Sequence, residues 1–264
     1  MIKLQELLER EDPKLAQDTP KFPMNVSAQI SPGGESNTAV PADSLSGLSS
    51  LRHLSLLPFE RPNYQRIWDL QKSLVQEIAD GRHPESIIFC EHERVITCGR
   101  RAQASNILNA SISQFKIERG GDVTMHNPGQ LVIYPLIKLH GGVFRGGLLE
   151  YLRACEEVII GVLKSYGLDA GRYGPTGVWI KRKTANGIAG EVKKIASIGV
   201  AVRRWITYHG ISLNISNDLS DFDSIRPCDF ESSIMTSLAE EGIHKSLFEV
   251  ESEIYSRFCN ILGE

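Results

Sequence analysis

The stretch 119–130, with the sequence RGGDVTMHNPGQ, contains two glycine turns that restrict how this chain can fold. Gly120–Gly121 leads into Val123–His126, and Pro128–Gly129 leads into an apolar run. Short runs joined by tight turns predict strands of a sheet. Glycine backbone beside an arginine and a histidine also lets an anionic or carbonyl-bearing ligand approach the main chain closely. The stretch therefore indicates a sheet and a candidate ligand site at the same place.

Apolar runs elsewhere predict further strands and helices. The predicted strands are His53–Leu57, Ser86–Cys90, Arg94–Cys98, Leu131–Leu136, Gly177–Ile180 and Lys194–Thr207. Helical spacing of apolar residues predicts helices over Tyr64–Gly81, Leu148–Tyr166 and His244–Leu262. Strands and helices are mixed without strict alternation. The predicted class is therefore α+β, with a mixed, mainly antiparallel sheet packed by helices.

Residues 1–50 differ in composition from the rest of the chain. Ile2–Glu9 has the pattern of a short helix, and the stretch 20–50 is rich in Pro, Gly, Ser, Asn and Asp. Such a segment has too little apolar surface to offset the entropy lost on ordering it. We expect residues 1–50 to be a flexible N-terminal extension and residues 51–264 to form the folded domain.

Charge and cysteine usage argue against several classes of protein. The net charge of the 264 residues is -3, which favours neither nucleic acid nor a membrane surface as a partner. No apolar run approaches the length of a membrane span, and no secretory signal is visible. The five cysteines are scattered without a CxxC pair, which argues against a disulfide framework and a structural zinc site. We expect a cytoplasmic protein with no metal site.

Cys228 and Lys194 have the residue types that covalent acyl transfer needs. Cys228 follows Pro227, where the chain is stiff, and Lys194 opens an apolar strand. Strand alternation places Lys194 on the same face as Ala196, unless a bulge at Gly199 changes the alternation. An ammonium about 4 Å from a thiolate attracts it by roughly 4 kcal/mol at an effective dielectric constant of about 20, before desolvation. The pair therefore predicts a nucleophile and a proton carrier, and the alternative for the cysteine is a small buried apolar residue.

Two histidines and a basic stretch allow both structural and functional interpretations. His126 and His209 can each be a satisfied core histidine or part of a pocket wall. Between positions 181 and 204, Glu191 is the only acid among seven basic residues, which are Lys181, Arg182, Lys183, Lys193, Lys194, Arg203 and Arg204. This stretch is either a solvated hairpin or a docking surface for an acidic protein.

Several motifs together resemble those of one known family. RGGDVTMHNPGQ resembles the RGGxVTYHGPGQ block of the lipoyl(octanoyl) transferases. Thr97–Arg101 is similar to their TxGRR motif and Gly177–Trp179 to their GVW motif. Three further motifs follow in the family's order, namely Lys194–Gly199, His209–Asn214 and Pro227–Cys228. The resemblance covers the chain from Leu51 to Ser237.

The resemblance implies a fold, an activity and partners. The family has the biotin/lipoate protein ligase-like fold and moves an octanoyl group from acyl carrier protein to a lysine of lipoyl domains. These domains belong to 2-oxoacid dehydrogenase complexes and to the glycine cleavage H protein. No cofactor is implied, because the acyl group arrives on the phosphopantetheine of the carrier protein as an activated thioester.

The resemblance also implies roles for individual residues within a catalytic domain over residues 51–264. Cys228 resembles the nucleophile that forms the acyl thioester, and Lys194 resembles the residue that lowers its pKa. The implied substrate-binding residues are Arg119, Gly120, Gly121, Asp122, Val123, Thr124, Met125, His126, Ser197, Ile198, Gly199, Gly210, Ile211 and Ser212.

The chain departs from the family pattern, and two other functions stay open. Met125, Asn127, Ser212 and Asp229 stand where the family usually has Tyr, Gly, Ala and Gly. The first three are expected to reshape the pocket wall, whereas a carboxylate beside Cys228 opposes thiolate formation unless it points away.

One rival function is an ATP-dependent lipoate ligase on the same fold, which has no need of a thiol. The other is a catalytically inactive protein that binds lipoyl or carrier domains through the basic stretch.

Overall fold

The computed structural model describes residues 51–57, 63–183, 189–227 and 230–263. Over these ranges the strands are β1 Arg52–Ser55, β2 Ser86–Cys90, β3 Val95–Cys98, β4 Gln114–Lys116, β5 Val123–His126, β6 Gln130–Leu136, β7 Ala170–Gly171, β8 Val178–Lys183, β9 Ala189–Arg203 and β10 Ile206–Asn214. The α-helices are α1 Tyr64–Ala79, α2 Gly147–Ser165 and α3 Leu247–Leu262. Short 3-10 helices cover Ala104–Asn106, Leu219–Ser224 and Ser232–Ile234.

The main sheet has seven strands in the order β1-β2-β6-β10-β9-β8-β7. Its β1–β2 pair is parallel, and the other pairs are antiparallel. Every residue of β2, β6 and β10 is buried, as expected for strands that are covered on both faces. The central strands of the sheet therefore lie between two packed layers.

Helices α2 and α3 form one of these layers. Tyr151 and Ile159 of α2 and Ile254 and Phe258 of α3 share a core with Ile133 of β6. The recurrence of apolar residues at helical spacing in both helices is what directs this face toward the sheet.

Helix α1 packs against β10 and β6 and also contacts the smaller sheet. The Asn63 side chain caps its first turn by accepting a hydrogen bond from the amide of Gln65. Tyr64 packs with Val95 and Ile117 of the smaller-sheet region. Helix α1 thus connects the two sheets.

The smaller sheet has the strand order β4-β3-β5. Ile96 of β3 and Met125 of β5 pack against Phe222, Ile225 and Met235 in a second core. This core holds the segment 219–227 beside the strand that follows the first glycine turn. The packing of this segment therefore determines where Pro227, its last residue, lies.

The predicted α+β class with a mixed, mainly antiparallel sheet is confirmed, and the predicted strand Ser86–Cys90 coincides with β2. The strand predicted over Lys194–Thr207 is wrong at its end. The chain turns at Arg204 and Trp205, whose φ angles are 52° and 64°, and β10 begins directly afterwards. A two-residue hairpin turn with positive φ normally uses Gly or Asn, so these residue types gave no turn signal.

Some sequence predictions lie outside the described residues. These are the helix over Ile2–Glu9, the extension over residues 1–50, and the surroundings of Cys228 and Asp229. Within the parts of the chain that the structure describes, no helix combines the length and the apolar character needed to cross a bilayer.

Candidate active site

A cavity of about 300 Å³ opens beside β9 and β10 and extends toward β6. The predicted site residues that line it are Lys194, Arg119, Gly120, Gly121, Asp122, Val123, Thr124, His126, Ser197, Ile198, Gly199, Gly210, Ile211 and Ser212. Cys228 lies outside the described residues, but Pro227, which precedes it, lines the same cavity. Stretches that are far apart in the sequence therefore meet at one cavity.

Met125 is the one predicted binding residue among the described positions that does not line the cavity. It is fully buried in the second core, and it lies opposite Ile96 in the β3–β5 pair. Successive strand residues point to opposite faces, so Thr124 and His126 reach the cavity while Met125 points away from it. The expectation that Met125 reshapes the pocket wall is therefore wrong.

Lys194 is buried, with 6% of its surface exposed, and its Nζ lies 5.5 Å from the ring centroid of Trp179. The prediction that it shares a face with Ala196 is wrong. Trp179 and Val178 are consecutive on β8, yet their partners on β9 are Lys194 and Ala196. The extra residue, Ile195, is a bulge that interrupts the alternation. No register shift interrupts the β9–β10 pairing around Gly199, where the sequence had suggested the bulge.

Gly177 makes room for the Lys194 side chain. Its φ is 131°, and a Cβ atom there would lie 2.9 Å from Lys194 Cε and 2.5 Å from the carbonyl oxygen of Ala196. The amide of Gly177 donates to Glu156 Oε1 of α2. Only glycine fits both the backbone conformation and the space, so Gly177 and Glu156 together shape the slot for the lysine.

Glu156 is an ionised anchor behind this slot. Burial alone would raise its pKa, but hydrogen bonds from Arg153 and Arg172 outweigh burial and hold the pKa below its ordinary value. Arg153 Nη1 and Arg172 Nε each lie 2.7 Å from Glu156 Oε2. The carboxylate therefore stays charged at neutral pH and fixes helix α2 to the Gly177 turn.

The glycine turn at 119–121 is fixed by the Arg119 side chain. Its Nη2 donates to the carbonyl oxygen of Thr97 at 2.6 Å, and its Nη1 donates to that of Gly120. A Cβ atom at Gly99 would lie 2.5 Å from Gly121 O, and one at Gly199 would lie 2.9 Å from Arg119 Cδ. The turn can approach β3 and β9 this closely only because both facing positions are glycine.

The two predicted histidines are neutral parts of the cavity wall. Burial and, to a smaller extent, the nearby His92 lower the pKa of His126 to about 3. Its Nδ1 donates to Gln130 Oε1 at 2.7 Å, since an amide oxygen can only accept. Burial also lowers the pKa of His209 to about 4, although Glu118 opposes this shift. Both rings are therefore uncharged at neutral pH.

The cavity also includes residues that the sequence did not single out. Leu148, Pro175 and Thr176 lie at its exposed rim, and Tyr64 and Tyr134 at its buried end. Their contributions come from α1, α2, β6 and the β7–β8 turn. No local pattern marks them, because only the tertiary arrangement brings these elements to one place.

Three of the seven basic residues of this stretch, Arg182, Lys193 and Arg204, form ion pairs within the described part of the chain. Arg182 Nη2 lies 2.6 Å from Glu241 Oε1 and also donates to Thr236 Oγ1. Lys193 Nζ lies 2.6 Å from Glu191 Oε1 and donates to the carbonyl oxygen of Ser233. The charge of Arg182 is therefore offset by an acid from a distant part of the chain, and that of Lys193 by Glu191 within the stretch. For Arg182 and Lys193 the structural interpretation is the better one.

Comparisons with known proteins relate the chain to enzymes of lipoylation. The family model described as the lipoyl protein ligase A/B catalytic domain matches residues 63–258. An octanoyltransferase from Pelobacter propionicus is 44% identical over 199 residues, which cover 73% of this chain and 89% of the relative. An octanoyltransferase from Rickettsia rickettsii is 38% identical over 201 residues, which cover 75% and 94%.

Solved structures with low sequence identity share the fold. Lipoate-protein ligase A bound with ATP superposes with a TM-score of 0.56 at 18% identity, covering 81% of this chain and 85% of the ligase. A bipartite lipoate protein ligase from Thermoplasma acidophilum, whose structural study also concerns its E2 lipoyl domain, gives 0.54 at 18% identity, covering 81% and 83%.

Proposed function

The chain belongs to the lipoyl protein ligase A/B catalytic domain family and, within it, to the octanoyltransferases, and from this membership we propose the following reaction. The enzyme transfers an octanoyl group from the thioester of acyl carrier protein to a lysine of a lipoyl domain. Cys228 carries the acyl group between the two partners. The acceptors are lipoyl domains of 2-oxoacid dehydrogenase complexes and the glycine cleavage H protein.

The observation that carries the proposal is the meeting of Lys194 and Pro227 at one cavity. Lys194 is a buried amine, and Pro227 is the residue directly before the only cysteine in the segment 219–230. A buried lysine at a cavity wall is rare unless it is paired or functional. A thiol that follows a fixed proline at the same wall supplies the nucleophile that covalent acyl transfer requires.

The first half of the reaction loads the enzyme. The Cys228 thiolate attacks the thioester carbonyl carbon of the donor, and the new carbon–sulfur bond replaces the bond to the phosphopantetheine sulfur. The Lys194 ammonium stabilises the thiolate before attack and then gives a proton to the departing pantetheine sulfur. The products of this half are an octanoyl thioester on Cys228 and a free carrier thiol.

The second half transfers the acyl group. The amine of the acceptor lysine attacks the carbonyl carbon of the acyl-enzyme, and the Cys228 sulfur departs as a thiolate. The neutral Lys194 amine accepts the proton that the attacking nitrogen loses, which restores the ammonium. Because a thioester is converted into an amide, the transfer runs downhill without a nucleotide. This step separates the proposal from an ATP-dependent ligase.

The cavity suits an acyl chain bound near this pair. Its wall combines apolar side chains, Val132, Leu152 and Ile211, with the glycine backbone at 199 and 210. Apolar side chains favour burial of a hydrocarbon chain, and the buried neutral histidines at 126 and 209 add no charge that would oppose it.

Intact-mass spectrometry after incubation with octanoyl-acyl carrier protein tests the proposal. We expect one added octanoyl mass on the enzyme, labile to hydroxylamine, and transfer to a lipoyl domain in the absence of ATP. Cys228→Ala should abolish both the adduct and the transfer. Cys259 is a thiol on helix α3, and Cys259→Ala is the matched control, which should retain both the adduct and the transfer. Full activity of Cys228→Ala, or transfer only with ATP, would overturn the proposal.

A further inference from the structure

Asp122 lines the cavity, but its carboxylate bonds to a neighbouring loop. Oδ1 accepts a hydrogen bond from the backbone amide of Gln103 at 3.1 Å. Oδ2 accepts one from Asn106 Nδ2 at 2.6 Å. Asp122 and Asn106 are both buried, with 8% and 3% of their surfaces exposed. Charge-assisted hydrogen bonds in such a setting are among the stronger ones in proteins.

Asn106 also holds the chain that leads to Pro227. Its carbonyl oxygen accepts a hydrogen bond from the amide of Arg226 at 2.9 Å. The amides of Leu108 and Asn109 donate to Ser224 O at 2.9 and 3.1 Å. Within this contact, Ile107 and Ile225 form an antiparallel bridge. Residues 106–109 therefore pair with 224–226 as a short ladder.

These contacts make one continuous connection from the glycine turn to the end of the 219–227 segment. The turn ends at Asp122, the Asp122 carboxylate fixes the Asn106 side chain, and the Asn106 backbone fixes Arg226. Pro227 follows and lines the cavity. Each carboxylate oxygen of Asp122 accepts a hydrogen bond from the loop 103–106, which is a structural role distinct from the substrate contact that the family resemblance implies.

We propose that Asp122 and Asn106 are positioning residues, which hold the segment that carries Cys228 against the cavity wall. The inference rests on the proposed function only in assigning Cys228 as the nucleophile. The role follows from the hydrogen-bond geometry alone: loss of either side chain removes the bond between Asp122 Oδ2 and Asn106 Nδ2, which connects the 106–109 ladder to the turn.

Three variants form a cycle that tests the pair. Asp122→Asn and Asn106→Asp each weaken the contact. The first leaves one acceptor oxygen for two donors, Gln103 N and Asn106 Nδ2, and the second places two carboxylates opposite each other. The double variant Asp122→Asn with Asn106→Asp restores one donor facing one carboxylate, with the partners exchanged. A residue that contacts substrate through its charge would not be rescued by this exchange, whereas a positioning pair would be.

The first measurement does not depend on octanoyl transfer. The rate of alkylation of Cys228 by iodoacetamide, followed by peptide mass mapping, is recorded between pH 6 and 10. We expect the midpoint of this profile to rise by about half a unit or more in each single variant, because a thiol displaced from Lys194 moves toward its ordinary pKa of about 8.5. The double variant should return the midpoint to that of the parent enzyme.

The second measurement uses a small octanoyl thioester as the acyl donor. We expect kcat to fall about tenfold in each single variant with KM changed less than about twofold, since the bound substrate is not contacted. Thr207→Val is the matched control, because it removes buried hydrogen bonds of the Thr207 hydroxyl, to Pro135 O and from the Ile137 amide, near the start of β10 and outside the cavity lining. It should leave the alkylation profile unchanged.

Unchanged alkylation midpoints in both single variants would overturn the inference, as would failure of the double variant to restore them while its melting temperature matches the parent. A rise in KM at constant kcat would instead identify Asp122 as a substrate contact. If the parent enzyme forms no acyl-enzyme, the proposed function fails, but the alkylation cycle still decides whether the pair positions Cys228.

Discussion

Lys194 lies in a slot that its neighbours build around it. The bulge at Ile195 directs the side chain away from the main core, Gly177 leaves space beside its Cε, and the Trp179 ring lies beneath its Nζ. The sequence identified the residue but misplaced it, because a bulge depends on the neighbouring strand and leaves no mark on its own strand. Glu156, which fixes Gly177 through a hydrogen bond, had no signal in the sequence at all.

The role proposed for Lys194 separates charge from proton transfer. Lys194→Arg keeps the positive charge but cannot release a proton at accessible pH. We expect the variant to fold and to lose about 10²- to 10⁴-fold in kcat, the usual size of a general acid–base contribution. Single-turnover formation of the acyl-enzyme measures it, with the melting temperature recorded alongside.

Lys193→Arg is the matched control for this variant. Its side chain pairs with Glu191 and Ser233 O, outside the cavity lining, so the substitution should leave turnover near that of the parent. Near-normal turnover of Lys194→Arg would show that the residue acts through charge alone.

At the scale of elements, the sequence predicted strands and helices well where one periodic pattern decided them. The pattern of apolar residues within each element predicts helices α1, α2 and α3 and strand β2. The turn at Arg204–Trp205 was missed because the hairpin, and not the residue type, holds φ positive there. The short ladder between 106–109 and 224–226 was also missed, since its two halves are distant in sequence.

Arg182 gives a prediction at the same scale. Its guanidinium connects β8 to the segment that carries Thr236 and Glu241, and the Glu241 carboxylate also accepts from Thr236 Oγ1. Arg182→Glu should therefore lower the free energy of unfolding by about 1–3 kcal/mol, because it breaks hydrogen bonds to a charged group and places two carboxylates together. Urea denaturation followed by circular dichroism measures the change.

Lys181→Glu is the control for the charge of the hairpin. Its Nζ lies 5.7 Å from the Tyr173 ring centroid at a partly exposed position, and we expect a change within about 0.5 kcal/mol. If Arg182→Glu is as stable as the parent and loses activity only with protein substrates, the result favours the interpretation of this stretch as a docking surface.

For the whole molecule, the cavity exists because two sheets meet helices α1 and α2. The main sheet supplies Lys194 and the glycine backbone at 199 and 210, and the smaller sheet supplies the turn 119–124. Motifs in the sequence predicted these lining stretches because each is local. Residues such as Tyr64 and Leu148 could not be predicted, since their place depends on how the layers pack. The flexible extension over residues 1–50 stays a prediction.

Burial of two neutral histidines gives the whole fold a dependence on pH. The pKa values of His126 and His209 are lowered to about 3 and about 4, whereas the unfolded chain titrates near 6.5. Between these values the unfolded state binds more protons than the native state, so stability falls as pH falls. Stability contributed by the neutral rings is fully present above pH 6.5. At pH 5 the free energy of unfolding is therefore lower by about 2 kcal/mol for each of the two histidines.

Urea unfolding at pH 7.5 and pH 5 measures this dependence, and the carboxylates with lowered pKa values, such as Glu156, stay ionised throughout the range. His126→Asn removes one buried titrating ring and should reduce the loss of stability between the two pH values by about 2 kcal/mol, even though the variant is less stable at pH 7.5. His140→Asn, at an exposed position, should leave the loss unchanged. If the parent and His126→Asn lose stability equally, His126 is protonated in the native state at pH 5, and the lowered pKa assigned to its ring is wrong.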